Sequence, residues 1–145
     1  MNFYTDNDSL KFYLTHPVMK QIAAMKEQNF SEHETYAEAP ANAEEALENY
    51  DAVMALVGDI TGNVIAPNAE EVDHEGPRVE NGRVHYARGT QQNHDTLLQA
   101  GLYGFSLPRK YKRSQLPLCG LHHDERYYCP CRRGLRHHLG FARLR

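Results

Sequence analysis

The sequence lacks the long apolar segments that membrane insertion or secretion requires. No run of about 18 apolar residues occurs in the 145-residue chain, so no transmembrane helix and no membrane partner are predicted. The residues from Met1 to Asp6 contain neither a basic stretch nor an apolar core of the kind found in secretory signals. We therefore expect a cytoplasmic protein, long enough to form one small domain with its own core.

Cysteine is scarce and unevenly placed. The three cysteines, Cys119, Cys129 and Cys131, all lie in the segment 112–145, which has 2 acidic and 8 basic residues and a net charge of +6. Residues 1–111 have 17 acidic and 8 basic residues and a net charge of −9. A change this abrupt divides the chain into two regions and requires an explanation before a function is assigned.

Two short helices are predicted near the N-terminus. Asp8 and Ser9 can cap the first, 10–14, which ends before Pro17. The second begins in the turn that contains Pro17 and ends near Asn29. Its apolar residues are expected to face the core: Val18, Met19, Ile22 and Met25. The acidic stretch that follows has no clear period and is interpreted as an exposed connection, Ser31 to Pro40.

The strongest local signal is a long helix that begins at Asn42. Asn42 and Glu45 have the spacing of a capping box, in which each side chain accepts a hydrogen bond from the backbone. Pro67 is expected to end or kink the helix. A helix of this length needs partner helices, so we expect a helical bundle. Its apolar residues keep to one face: Ala46, Leu47, Tyr50, Val53, Met54, Val57, Ile60, Val64 and Ile65.

A turn and a hairpin follow the long helix. Asp73-His74-Glu75 is a small polar cluster that could suggest acid–base chemistry, but a solvated turn before Gly76-Pro77 is the preferred interpretation. Asn81-Gly82 lies between two short extended pieces in 79–84, which favours a type I′ hairpin because both turn residues need a positive φ.

A third main helix is predicted over 91–100. Thr90 is its expected cap, Leu97 and Leu98 are expected to face inward, and Gly101 is its expected stop. The predicted fold class is therefore mainly α, with one short β-hairpin and an irregular C-terminal tail over 112–145.

Three stretches together resemble the acyl-CoA dehydrogenase family. They are Ile65-Ala66-Pro67-Asn68-Ala69-Glu70 with Asp73-His74-Glu75-Gly76-Pro77, then Glu80-Asn81-Gly82-Arg83-Val84, then Leu98-Gln99-Ala100-Gly101-Leu102-Tyr103-Gly104-Phe105-Ser106-Leu107-Pro108-Arg109-Lys110-Tyr111. The opening Asn2-Phe3-Tyr4-Thr5-Asp6-Asn7 also resembles the longer members. Their order and spacing cover residues 1–111. The resemblance implies the N-terminal helical-bundle part of the acyl-CoA dehydrogenase fold.

The resemblance ends after Tyr111. There Lys112-Arg113-Ser114-Gln115 replaces the Asn-Gly or Gly-Gly that the family carries. With free choice of codons, reading 112–117 one base later can yield Asn-Gly-Leu-Asn-Phe-Pro. The same shift over His122 to Leu144 can yield a peptide that looks like the family's next helix. We therefore expect one extra base near the codon for Lys112 and an out-of-frame tail over 112–145.

The resemblance also implies a chemistry that residues 1–111 do not carry alone. Family members remove a proton and a hydride from adjacent carbons of an acyl-CoA, using a carboxylate base and FAD. Their base and flavin contacts lie beyond the region that is matched, so no catalytic, cofactor-binding or metal-binding residue is assigned. We expect an inactive fragment without bound FAD, whose helix around Tyr50 to Ile65 exposes apolar surface. Acyl-CoA, an electron acceptor and oligomer formation belong to the full-length family.

The alternative is a small helical binding module with a basic Cys/His tail. Zinc ligands could come from Cys119, Cys129, Cys131, His122, His123, His137 and His138. Their spacing is poor, because Cys129-Pro130-Cys131 is C-x-C and no second ordered pair exists. The Arg-rich tail, with Tyr127 and Tyr128 for stacking, could attract nucleic acid, but no recognised binding pattern accompanies the charge, so nucleic acid is not the expected partner.

Overall fold

The computed structural model describes residues 1–111 and 114–117, and this part of the chain is mainly helical with one antiparallel hairpin. The prediction of a mainly α chain with one short hairpin is confirmed. The helices are α1 (Asp8–Thr15), α2 (Val18–Lys26), α3 (Ala43–Ile60), α4 (Ala66–Glu75) and α5 (Arg88–Gln99). A π-helical turn, Thr61–Ile65, joins α3 to α4, and the strands are β1 (Arg78–Glu80) and β2 (Arg83–His85). Short 3₁₀ turns lie at Gln28–Phe30 and Arg109–Tyr111.

The first helix is present, but its cap is not the expected one. The Oδ1 atom of Asn7 accepts hydrogen bonds from the backbone N–H groups of Ser9 and Leu10, at 3.1 and 3.3 Å. Asp8 is the first helical residue, where its charge suits the positive end of the helix dipole. The prediction that Asp8 or Ser9 caps this helix is therefore wrong by one or two positions.

Helix α2 buries a different face from the predicted one. Met19 and Ala23 are buried, whereas Val18 is 43% exposed and Met25 is 81% exposed. Ala23 lies in the same apolar cluster as Ala46 of α3, and both side chains are fully buried. The apolar spacing alone did not show that a small residue, Ala23, would be the most deeply buried one on this helix. The placement of Met19 in the core is confirmed, and that of Val18 and Met25 is wrong.

The long helix begins as predicted. The Oδ1 atom of Asn42 accepts from the N–H of Glu45 at 2.9 Å, and the Glu45 carboxylate accepts from the N–H of Ala41 at 2.9 Å. All nine apolar positions assigned to its inner face are buried or half-buried. In the preceding connection most residues are exposed, but Ala39 and Pro40 are buried.

Pro67 does not end the helical segment. The backbone stays helical from Ala43 to Glu75, through the π turn at Thr61–Ile65. The N–H of Ala66 bonds to the carbonyl of Thr61, one residue further back than in an α-helix. This wider turn lies just before Pro67, which has no N–H to donate and needs extra room for its ring. Helix α4 was not predicted, because Pro67 was expected to end or kink the long helix.

The hairpin is as predicted, and α5 begins earlier than predicted. Asn81 and Gly82 have φ values of 52° and 74°, and Val79 pairs with Val84 across the hairpin. Helix α5 starts at Arg88, so Thr90 lies inside its first turn. Leu97 is buried as expected. Leu98 is 55% exposed, so its predicted inward position is wrong. Gly101 follows the helix with a positive φ of 71°, as expected of a helix stop.

Two apolar clusters form the core of the described residues. The first contains Ala23, Ala46, Tyr50 and Leu116, and the second contains Ile60, Ile65, Leu97 and Leu102. Val53 and Phe105 pack against both clusters. Between Tyr50 and Ile65, where exposed apolar surface was expected, Leu56 is the exposed large apolar residue, at 42%. More exposed examples lie on other elements, including Phe12 of α1 and Val79 of β1.

Candidate functional site

The most deeply buried polar group of the described residues is the carboxylate of Glu27, which follows α2 and is 1% exposed. One of its oxygens accepts a hydrogen bond from the Tyr50 hydroxyl at 2.8 Å. The other contacts the guanidinium of Arg109, which is 5% exposed. The cluster thus joins α2, α3 and the 3₁₀ turn at Arg109–Tyr111.

A second set of polar groups closes this cluster. The Arg109 guanidinium also contacts Glu32 at 3.2 Å. The side-chain amide of Gln115 donates to Glu32 at 3.3 Å and to the carbonyl of Lys26 at 3.2 Å, and its oxygen accepts from the N–H of Arg109 at 3.4 Å. Gln115 therefore belongs to the cluster, and it lies in the segment 112–145 that was predicted to be an irregular tail.

The electrostatics of the cluster keep Arg109 charged. Burial by itself would lower the pKa of the Arg109 guanidinium, but hydrogen bonds and charge attraction from Glu27 and Glu32 outweigh it, so the pKa is raised. Two carboxylates surround one guanidinium. Because Glu27 is almost inaccessible and both of its oxygens are engaged, this cluster positions backbone segments and is not a base that could reach a substrate.

Sequence reasoning missed this cluster. Glu27 and Arg109 are separated by 82 positions, and neither lies in a pattern that predicts burial of a charge. Arg109 directly follows Leu107-Pro108 in the sequence, and no neighbouring residue marks it as buried. Glu27 lies within the second helix as predicted, which was expected to end near Asn29, and no role was assigned to it from the sequence.

A small surface pocket lies beside α5. It has a volume of about 90 Å³ and is lined by Tyr86, Thr90, Gln91 and His94. The ring of His94 packs against that of Tyr103, with centroids 4.9 Å apart. Pockets that enclose drug-sized ligands have volumes of about 300–1,000 Å³. This pocket is therefore too small to enclose the acyl chain and cofactor of an acyl-CoA reaction.

The polar cluster Asp73-His74-Glu75 is helical, although it was predicted to be a solvated turn. Asp73, His74 and Glu75 form the last turn of α4, and Asp73 and His74 are exposed. The carboxylate of Glu75 accepts from the N–H of Arg88 at 2.9 Å and contacts the Arg78 guanidinium at 3.4 Å. Glu75 thereby satisfies the first N–H of α5, which explains why that helix begins without a side-chain cap from Thr90.

The candidate zinc ligands and the proposed stacking residues lie outside the described residues. These are Cys119, Cys129, Cys131, His122, His123, His137, His138, Tyr127 and Tyr128. Within residues 1–111 and 114–117, no group of three or more His, Cys, Asp or Glu side chains could hold a metal ion. In the same residues, no helix is both long and apolar enough to cross a membrane.

Comparison of the chain with protein-family models, with curated proteins and with solved structures finds no match.

Proposed function

We propose that residues 1–111 are the N-terminal helical region of an FAD-dependent acyl-CoA dehydrogenase, and that the chain does not catalyse the family reaction by itself. The observation that carries the proposal is the order and spacing of the three family-like stretches along residues 65–111. Each stretch lies at a junction between elements. The first runs from the last residue of the π turn along α4 to Pro77, the second forms the hairpin, and the third contacts Glu27, after α2, through Arg109.

The surroundings of residues 115–117 support the proposed shift of reading frame. Gln115 supplies an amide to the ion-pair cluster, Leu116 packs with Ala23 and Tyr50, and Pro117 is buried. Reading one base later can give asparagine, phenylalanine and proline at these three positions. An amide, a large apolar side chain and a proline are thus kept in the same order. The shifted peptide has the chemical character that this part of the fold accommodates.

Under this proposal, residues 1–111 form part of the surface of the substrate cleft and supply none of the catalytic groups. The family reaction needs a carboxylate base and a flavin next to the acyl-CoA, and no position in the three stretches corresponds to either. The N-terminal helices would form one wall of the substrate cleft. Exposed apolar side chains such as Phe12, Met25 and Leu98 agree with a unit that other parts of a larger protein would cover.

The decisive experiment restores the expected reading frame. The nucleotide sequence around the Lys112 codon should contain one base whose deletion opens a frame that continues with Asn-Gly. The deletion product, expressed beside the unchanged chain, should show a flavin absorption spectrum and reduce a dye with acyl-CoA. Deletion of two bases at the same site is the matched control and should show neither.

Two results would overturn the proposal. The first is a coding sequence whose codons, read one base later, cannot yield Asn-Gly-Leu-Asn-Phe-Pro. The second is a bound flavin and acyl-CoA-dependent dye reduction in the unchanged 145-residue chain, because such activity would show that residues 1–145 contain the catalytic groups.

A further inference from the structure

The hairpin formed by β1 and β2 projects from the helical core. All six strand residues are exposed, and Val79 and Val84 are 73% and 55% exposed. Each strand pairs with the other and with no further strand among residues 1–111 and 114–117. A two-stranded hairpin is marginally stable in water, and additional strands or packing partners stabilise it.

The turn fixes which backbone groups of β1 are free to pair outward. Glu80 and Arg83 flank the two-residue turn, and such a closing pair exchanges both of its backbone hydrogen bonds. The next pair, Val79 and Val84, is therefore a non-hydrogen-bonded pair. The N–H and C=O of Val79 point away from β2, toward the outer edge of β1, where another strand could bond to them.

The sequence of β1 is complementary to itself when it runs antiparallel. A second copy of Arg78-Val79-Glu80, centred on Val79, places Arg78 of each chain opposite Glu80 of the other. The two Val79 residues then exchange their N–H and C=O groups across a twofold axis. The Arg–Glu pairs occupy the non-hydrogen-bonded positions, where facing side chains are closest. We infer that β1 is a dimerisation edge whose occupant is β1 of a second copy of this chain.

The outer edge of β2 does not have this property. Antiparallel self-pairing of Arg83-Val84-His85 places Arg83 opposite His85, so no opposite charges meet. Symmetric pairing through β1 also extends an apolar row, because Val84 and Val79 of one hairpin continue into Val79 and Val84 of the other. The resulting four-stranded sheet has closed twofold symmetry, so it stops at a dimer when β2 does not pair.

One contact within the chain competes with this pairing. The Arg78 guanidinium lies 3.4 Å from the Glu75 carboxylate and is itself 62% exposed. A guanidinium has five N–H donors, so this long contact leaves donors for Glu80 of the second copy. Only three residues of each strand take part, and Pro77 ends the edge, so the dimer is weak and reversible.

Sedimentation equilibrium of the full chain over a range of concentrations tests the inference. The unchanged chain should follow a reversible monomer–dimer equilibrium. Glu80→Lys makes the β1 edge wholly basic, and Arg78→Glu makes it wholly acidic, so each should weaken self-association about tenfold or more. An equimolar mixture of the two variants should restore the dimer, because opposite charges then face each other. Glu48→Lys, the same charge change on an exposed position of α3, is the matched control and should leave the equilibrium unchanged.

A further variant separates loss of pairing from loss of the hairpin. Val79→Pro removes the N–H that would bond the second copy and removes no bond between β1 and β2. Nuclear Overhauser contacts between residues 79 and 84 report whether each variant keeps its hairpin. A wild-type chain that is monomeric throughout would overturn the inference. So would dimers that persist in Val79→Pro, or a mixture of the two charge variants that fails to associate.

Discussion

The buried pair of Glu27 and Arg109 connects parts of the chain that are 82 positions apart. Removing two charges from water costs several kcal/mol, which their attraction offsets only when the geometry is good and the remaining polar atoms are bonded. Here the Tyr50 hydroxyl donates to Glu27, the Arg109 guanidinium also donates to Glu32, and the Gln115 amide donates in turn to Glu32. The Nε atom of Arg109 has no hydrogen-bond partner among the described residues. The main effect of the pair is therefore to fix the relative position of the two segments, and its net contribution to the free energy of unfolding is small.

Substitution of one partner should be far more harmful than substitution of both. Arg109→Met leaves the Glu27 carboxylate buried without its counter-charge, and we expect the free energy of unfolding to fall by about 3–5 kcal/mol. The double variant Glu27→Gln/Arg109→Met removes both charges and should recover most of that loss. Urea unfolding followed by circular dichroism measures both variants against the unchanged chain.

The exposed ion pair between Lys20 and Glu44 provides a matched control. Its side chains are 57% and 67% exposed, so Lys20→Met removes a charge from a solvated pair. This variant should unfold close to the unchanged chain. If the free energy of unfolding of Arg109→Met equals that of Lys20→Met, the buried cluster does not stabilise the fold.

At the scale of elements, local chemistry was readable from the sequence and long-range packing was not. The Asn42 cap, the Asn81-Gly82 turn and the Gly101 stop each depend on residues within a few positions, and the structure has all three. The helical segment continues through Pro67 because the π turn Thr61–Ile65, which lies just before the proline, accommodates it. This turn was not predicted from the sequence. Which side of α2 is exposed depends on the residues from other elements that pack around Ala23. The apolar periodicity of α2 does not encode that packing.

The N-terminal segment packs on α3 in a way that the sequence also did not reveal. The N–H of Phe3 donates to the carbonyl of Gly58 at 3.1 Å, and the side-chain amide of Asn2 donates to the carbonyl of Ala55 at 3.0 Å. A Cβ atom at Gly58 would lie 2.6 Å from the backbone nitrogen of Tyr4. Gly58 is therefore required by close approach of two backbone segments, although glycine weakens a helix.

Gly58→Ala should separate these two effects. Alanine favours the helix by about 1 kcal/mol, but the contact with Tyr4 forces the N-terminal segment off α3. We expect a net loss of about 1–3 kcal/mol in the free energy of unfolding and faster hydrogen exchange at the amide of Phe3. Glu48→Ala, at an exposed position of the same helix, is the control for helix propensity. An alanine variant that is more stable and keeps Phe3 protected would contradict the packing argument.

At the scale of the whole molecule, the described residues form two apolar clusters. The cluster around Tyr50 lies toward α2, and the cluster around Ile65 lies toward α5. Val53 of α3 and Phe105 pack against both. The carbonyl of Phe105 also accepts from the N–H of Leu116 at 2.9 Å, which fixes the position of 114–117. Cooperative unfolding of the described residues should therefore depend strongly on Phe105.

Phe105→Ala should both destabilise the chain and reduce its cooperativity. The side chain is half-buried, so we expect a loss of about 2–3 kcal/mol, below the ~3–5 kcal/mol typical of a fully buried phenylalanine. Hydrogen exchange should then give different opening free energies for the two clusters, read at Tyr50 and at Leu97. Leu98→Ala removes an exposed leucine from α5 and should leave both values unchanged. If Tyr50 and Leu97 still open together in Phe105→Ala, the clusters are coupled through Val53 and the continuous helix instead.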